Sequence, residues 1–434
     1  MQVYQRLVVI IFLILSSTGI SQNLLLKNVR IVDPASQKIT TGSMIIRDGT
    51  IAEIVPKAPV SFDGETIDLS GKWLIPGLND MHTHSYGNAA PGEKVQMLFT
   101  AGVAKTMLYC GVTGFLDLFS AEDFILSLRD RQRKDGLQGA DIYCAGPCFT
   151  CDSGHCTEYG VPTRTINTPE EARTQVAELA QKKPDVIKLV YDHNSRMPTV
   201  TKETMEALVA AANEHGLKTV IHFGTWQDAE EAVLAGATAL THTNFEAIPD
   251  DLVKLMKEKN IYLIPTLTVH TGMLKITETP AELENALLQH VTTPELRAGY
   301  QDSSAFNDRT KRWLKRQKSA FSTRLQSIKK LAGAGIKIMT GTDAGNIGTF
   351  QGYSVHSEMA LLVEAGLSPW QALIASTRTP GDFWGKKFGV NPGDEANLLV
   401  LEASPIEDIR NTEKIAMVIH HGRIINREAL LGSN

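Results

Sequence analysis

Between a β-rich beginning and a β-rich end, the chain alternates helix-like segments with short apolar runs, and several runs stop at a histidine, lysine or aspartate. Such alternation marks repeated βα units around a parallel sheet. The runs end at Met81, Ile187, Ile221, Thr241, Leu267 and Thr342. Two helix starts are explicit. Thr168-Pro169-Glu170-Glu171 and Ser368-Pro369-Trp370-Gln371 each supply a capping hydroxyl, a first-turn proline and an acid or amide at the third helical position. Residues 73–388 accommodate eight units with insertions, so the expected fold class is α/β, a TIM (β/α)8 barrel.

The outer segments differ. Leu24-Leu25-Leu26, Ser43-Met44-Ile45-Ile46 and Thr66-Ile67-Asp68-Leu69 are short β-type runs broken by turn signals such as Asp48-Gly49. The style returns in Leu398-Leu399-Val400-Leu401 and Ala416-Met417-Val418-Ile419. Residues 23–72 and 389–434 are therefore expected to form one small β-sandwich domain from both termini. Residues 1–22 read as a signal peptide: Arg6, then the apolar run Leu7 to Leu15, then small or polar residues from Ser16 to Gln22. The run is shorter than the roughly 20 residues that span a bilayer. The first cysteine is Cys110, which leaves no site for a lipid-modified cysteine behind the signal. The expectation is export to the periplasm or beyond, a mature chain beginning near Gln22 or Asn23, and no stable membrane anchor after cleavage.

At 434 residues, with 43% hydrophobic and 21% charged residues, the chain can bury a large core, and its formal charge of −5 gives no reason to expect nucleic acid. A basic stretch from Arg309 through Lys311, Arg312, Lys315, Arg316 and Lys318 to Lys329 and Lys330 scatters charge around a helix and reads as a solvated face. Four of five cysteines cluster as Cys144, Cys148, Cys151 and Cys156. They read as structural thiols or bridges rather than as a zinc site, which would more often show two separated Cys-x-x-Cys pairs. Cys110 is expected to be buried. Nothing in the sequence fixes the oligomeric state.

The chemistry collects at the ends of the apolar runs. His82-Thr83-His84 is a candidate chelating pair, although two nearby histidines are weak evidence alone. Lys188 follows Ile187, His222 follows Ile221, His242 follows Thr241 and Asp343 follows Thr342, all at C-terminal strand ends, where barrel enzymes carry their sites.

Several stretches then carry a resemblance: Pro76-Gly77-Leu78-Asn79-Asp80-Met81-His82-Thr83-His84, Gly111-Val112-Thr113, Gly341-Thr342-Asp343 and Pro392-Gly393-Asp394-Glu395-Ala396-Asn397-Leu398. Over essentially the whole mature chain the sequence resembles the amidohydrolase superfamily, closest to its imidazolonepropionase-like and Xaa-Pro dipeptidase-like branch with a carboxylated lysine. The resemblance implies two divalent metal ions. His82 and His84 would hold the more buried ion, Lys188 as a carbamate would bridge, His222 and His242 would hold the second, and Asp343 would be ligand and proton carrier. Nitrogen and oxygen donors without thiolate suit zinc first, with manganese or cobalt also fitting. The implied activity is hydrolysis of an amide-type C–N bond in a small-molecule substrate such as a dipeptide, N-acyl amino acid or cyclic amide. Lys188 also has the plainer reading of a side chain reaching for solvent.

Substrate-facing candidates are His155, Tyr191, His193 and His270, each with a bland alternative in loop or rim packing. His356 reads as structural. Two other functions share these features: a metal-dependent esterase, lactonase or phosphotriesterase, and a non-catalytic solute-binding protein, for which the complete ligand set would be superfluous. Three departures limit transfer of specificity. Val190-Tyr191-Asp192-His193-Asn194 replaces a glycine-rich turn, Phe115-Leu116-Asp117 lacks an arginine usual before that aspartate, and Asn397 replaces an aspartate.

Overall fold

The computed structural model describes residues 23–302, 304 and 306–431, so the signal-peptide reading of residues 1–22 lies outside the described residues. Eight barrel strands carry the site: β1 (Leu78–Thr83), β2 (Val112–Asp117), β3 (Asp141–Cys144), β4 (Val186–Tyr191), β5 (Lys218–Phe223), β6 (Ala239–Thr241), β7 (Tyr262–Ile264) and β8 (Lys337–Ile338). Neighbours from β1 to β3 and from β4 to β8 pair in parallel. After β3 the chain resumes as Cys148–Thr150, which pairs with β4 so that Cys148 lies opposite Lys188. Closure comes beyond β8, where Met81 N donates to Thr340 O at 2.9 Å and His82 O accepts from Thr342 N and Asp343 N at 3.1 and 2.7 Å. A side chain at Gly341 would put its Cβ 2.3 Å from Ile264 Cγ2 on β7 and 3.0 Å from His82 N on β1, so only glycine lets this segment lie between them.

The helices form where the caps lie. Pro169–Gln181 and Pro369–Ser376 each begin with a reciprocal capping box, Thr168 with Glu171 and Ser368 with Gln371. Asp308–Ala334 carries the basic stretch, whose named lysines and arginines are exposed. One boundary departs from expectation. The seventh strand stops at Ile264, and Leu267 instead opens helix Leu267–Glu278 after Thr266 turns the backbone to φ +47°. The apolar run across that turn hid the break, because both elements bury their residues.

Both chain ends build one eight-stranded sheet: Leu398–Leu401 pairs antiparallel with Trp73–Pro76, which pairs with Leu24–Asp33. All four residues of Leu398–Leu401 are buried because both strand faces are covered. Leu398 and Val400 join the core of the terminal sheet, while Leu399 and Leu401 join the barrel's outer core. Each such leucine contributes about 1.5–3 kcal/mol, so the strand fastens the β unit to the barrel. No helix among the described residues is long and apolar enough to cross a membrane.

Candidate metal centre

Strand alternation delivers two ligand candidates directly. Val186 packs inside the barrel, so Lys188 points the same way, and Val220 does the same for His222. The others depend on backbone irregularities. Pairing of β1 with β2 slips between Asp80 and Thr83, re-aiming the His82–His84 segment. His242, just past β6, and Asp343, in the segment beyond β8, adopt φ +85° and φ +55°, uncommon for residues with a Cβ. Asp343 Oδ1 lies 2.8 Å from His84 Nε2 and 3.3 Å from His82 Nε2. Ring centroids of His82 and His242 are 5.0 Å apart, and those of His242 and His222 are 4.3 Å apart.

The surroundings prepare these rings as ligands. His82 Nδ1 meets Thr241 Oγ1 at 2.6 Å and His242 Nδ1 meets Thr266 Oγ1 at 2.8 Å. A neutral imidazole donating through Nδ1 keeps its lone pair on Nε2, which points into the cluster. Burial holds His82 and His242 well below the ordinary imidazole pKa and His222 at about 4, so the rings stay neutral. Burial also lowers Lys188, only 3% exposed. For Asp343, burial pulls upward, but the His82 and His84 rings outweigh it and hold the carboxyl well below the usual carboxylate range. Lys188 Nζ is buried without a hydrogen-bond partner. Buried polar atoms are rarely left so, and a convergence of lone pairs without donors fits divalent cations.

Of the peripheral candidates, the structure brings two to the centre. His155 sits 5.3 Å from the His222 ring, with Nδ1 2.6 Å from Glu158 Oε1. His270 sits 6.0 Å from the His242 ring, its Nε2 buried without a partner. Tyr191 and His193 are corrected. Ile187, Leu189 and Tyr191 share the outer face of β4, where the Tyr191 hydroxyl donates to Glu231 on helix Trp226–Leu234. His193 is tied to Asp228 on that helix, Nδ1 to Oδ1 at 2.7 Å. Counting in twos from Lys188 points to Asp192 instead, and its Oδ2 lies 3.4 Å from His222 Nε2.

Other contributors were not evident in the sequence. Asp80, fully buried, accepts from His82 N, Thr342 N and Thr342 Oγ1, joining the ends of β1 and β8. Glu358, also fully buried, accepts from Leu267 N at 2.9 Å, Thr268 N at 2.8 Å and Thr268 Oγ1 at 2.9 Å. Burial raises it to about 8. It thus anchors the helix turn carrying Thr266, which fixes His242. Replacing it, Glu358→Leu, leaves the buried Leu267 and Thr268 amides without an acceptor and is expected to cost about 1–3 kcal/mol in denaturant unfolding, with weaker metal retention. Unchanged stability and metal content would remove Glu358 from this role. Arg324 is another buried group, its guanidinium 4.6 Å from the Phe245 ring and its Nε and Nη2 without partners.

All five cysteines are buried free thiols, with Cys148 Sγ and Cys156 Sγ 3.1 Å apart beside Lys188. His356 is structural, bonded to Thr412 Oγ1 and Cys110 O at 2.9 Å each. Asp117 accepts from Ser85 N and Phe119 N and organises the loops after β1 and β2.

A TIM barrel with this ligand-type cluster at the C-terminal ends of its strands defines the general class. Residues 73–425 match the amidohydrolase family, and the chain belongs to that family. A solved Xaa-Pro dipeptidase, with methionine bound in its active site, superposes with a TM-score of 0.75 at 22% identity, covering 93% of this chain and 99% of that one. Shorter segments are similar to two curated enzymes. The dihydroorotase of Trichlorobacter lovleyi is 42% identical over 14% of this chain and 15% of its own length. The imidazolonepropionase of Chromobacterium violaceum is 42% identical over 12% of this chain and 13% of its own length. The aligned segments thus span well under two thirds of those two enzymes.

Proposed function

We propose that the protein is an exported metal-dependent amidohydrolase that cleaves an amide-type C–N bond of a small molecule. The observation that carries this reading is the convergence of buried His82, Lys188, His242 and Asp343 with half-buried His84 and His222 at one end of an amidohydrolase-family barrel. His82, His84 and Asp343 would hold one divalent ion and His222 with His242 a second. Lys188, whose charged form burial disfavours, would add carbon dioxide with loss of a proton to form a carbamate, an anionic ligand for the ions. Ions held there would supply a water nucleophile of lowered pKa and polarisation of the scissile carbonyl, with zinc the first choice for these donors. Asp343, ionised beside neutral imidazoles, accepts the water proton and returns it to the leaving nitrogen. The neighbouring rings of His155 and His270 border the substrate.

The substrate carries a carboxylate. Arg324, whose charge acts on the His270 ring beside the centre, is a fully buried cation whose Nε and Nη2 have no partner, and an anion would complete such a guanidinium. The similarity to a Xaa-Pro dipeptidase points the same way, toward dipeptides and N-acyl amino acids. Export rests on the charge and hydropathy layout of residues 1–22 and is checked by N-terminal sequencing of the secreted chain, which should begin near Gln22 or Asn23.

The test is a screen of N-acyl amino acids and their carboxamides, Xaa-Pro dipeptides, cyclic amides, lactones and phosphotriesters, before and after chelation and with zinc restored. Amide turnover should vanish on chelation, return with zinc and favour the free carboxylates. Full activity in exhaustively chelated protein would end the metal reading. Turnover confined to lactones, esters or phosphotriesters would replace the C–N assignment.

A further inference from the structure

At the opposite end of the barrel, two adjacent histidines converge on one carboxylate. Asp141 opens β3, so it lies at the N-terminal strand ends, away from the centre described above. His420 closes strand Ile415–His420 of the terminal sheet, and His421 begins the two-residue turn leading to Arg423–Ile424. Consecutive strand residues normally point to opposite faces. Here His421 takes φ +49° and Gly422 φ +71°, and the two imidazole centroids come within 4.0 Å. His421 N donates to Asn397 Oδ1 at 2.7 Å and Gly422 N to Ala396 O at 3.0 Å, fixing the turn.

His421 Nε2 lies 2.8 Å from Asp141 Oδ1 and His420 Nε2 lies 3.5 Å from the same oxygen. Only the first is a hydrogen bond. His420 is 7% exposed, yet its Nε2 has no hydrogen-bond partner. A single ion pair between His421 and Asp141 therefore explains half of the cluster. Protonating both rings is poor compensation, because two positive charges in contact would share one carboxylate. One ligand atom from each of Asp141, His420 and His421 falls within 4.8 Å of the others.

We propose that Asp141, His420 and His421 form a separate binding site for a borderline divalent cation such as zinc, nickel or copper. Two imidazole nitrogens and a carboxylate oxygen are the donors such ions take, and a water completes the fourth position of a tetrahedral ion. The half-exposed His421 provides the entry path, its side chain being 53% accessible. Glu395 adds negative charge near His421, while Lys386, 3.8 Å from Glu395, opposes it. Because Asp141 belongs to the barrel and the histidines to the terminal sheet, the ion fastens one to the other. Binding therefore stabilises the fold by an amount that grows with the logarithm of free metal, unlike an ion pair.

The experiment uses the full mature chain, stripped by chelation and dialysed against Zn²⁺, with bound metal counted by mass spectrometry. The double variant His82→Ala/His84→Ala, weakened at the catalytic face but still carrying His222 and His242, should lose one tight equivalent when His420→Ala and His421→Ala are added. With Co²⁺ in place of Zn²⁺, the double variant should show the visible absorption of a tetrahedral histidine site, lost in the quadruple variant. Zn²⁺ should raise its melting temperature by several degrees, and Asp141→Asn, which preserves side-chain shape, should weaken that rise at least tenfold in metal concentration. Equal metal counts and equal melting shifts with and without these substitutions would overturn the site. So would affinity no better than that of free imidazole, which would reduce it to adventitious surface binding.

Discussion

Asp343→Asn is expected to lower kcat by about 10²–10⁴-fold while leaving the circular dichroism spectrum unchanged, because an amide cannot accept the proton that the carboxylate takes. The substitution keeps the shape that fits beside His82 and His84, whose Nε2 atoms lie 3.3 and 2.8 Å from Asp343 Oδ1. It also preserves the backbone contact of Asp343 N with His82 O at 2.7 Å. Metal content separates the two roles of the residue. If Asp343 acted only as a ligand, activity and occupancy would fall together and excess zinc would restore both. A proton carrier predicts lost turnover even at full occupancy. Near-normal turnover in the variant would remove Asp343 from the mechanism.

Legibility in the sequence followed the reach of the interactions. Lys188 and His222 were read from their places at strand ends and from the family resemblance, and in the fold each sits two residues beyond an inward-facing valine on a regular strand, as period-two alternation requires. The same rule, applied one residue more strictly, sends Tyr191 outward and brings Asp192 to His222. His242 and Asp343 break the alternation with left-handed backbone, and family motifs rather than periodicity carried their assignment.

The supporting groups were silent for a different reason. Thr241 reaches His82 across 159 residues and Glu358 reaches Thr268 across 90, so no local pattern announces either bond. Arg324 was concealed within an exposed basic helix, where its inward position depends on packing against Phe245. Asp141 and His421 are 280 residues apart, and only the meeting of the terminal sheet with the barrel makes them neighbours. The fold class was accessible because caps, turns and hydrophobic periods are local. The preorganisation of the centre was not, because it depends on closure of the barrel.

Lys188→Met is expected to have opposite effects on the metal-free and metal-loaded protein, and that sign change makes it the sharper test of the bridge. Without metal, Lys188 Nζ is a buried amine with no partner, and a thioether of similar length fills the space without that cost. The stripped variant should be more stable than stripped wild type by about 1–3 kcal/mol. With metal, the proposed carbamate predicts that the variant lacks the amine that would take up carbon dioxide, and with it the anionic oxygens that would hold two cations together. Occupancy should then drop and turnover fall at least a hundredfold. A small carboxylic acid supplied in solution can enter the vacated space and recover part of the activity. Recovery stays incomplete because the free acid gives up translational freedom that a tethered carbamate has already lost. An ordinary buried lysine predicts the stability gain alone. Full metal occupancy and undiminished turnover in Lys188→Met, alongside that gain, would show that the amine bridges nothing.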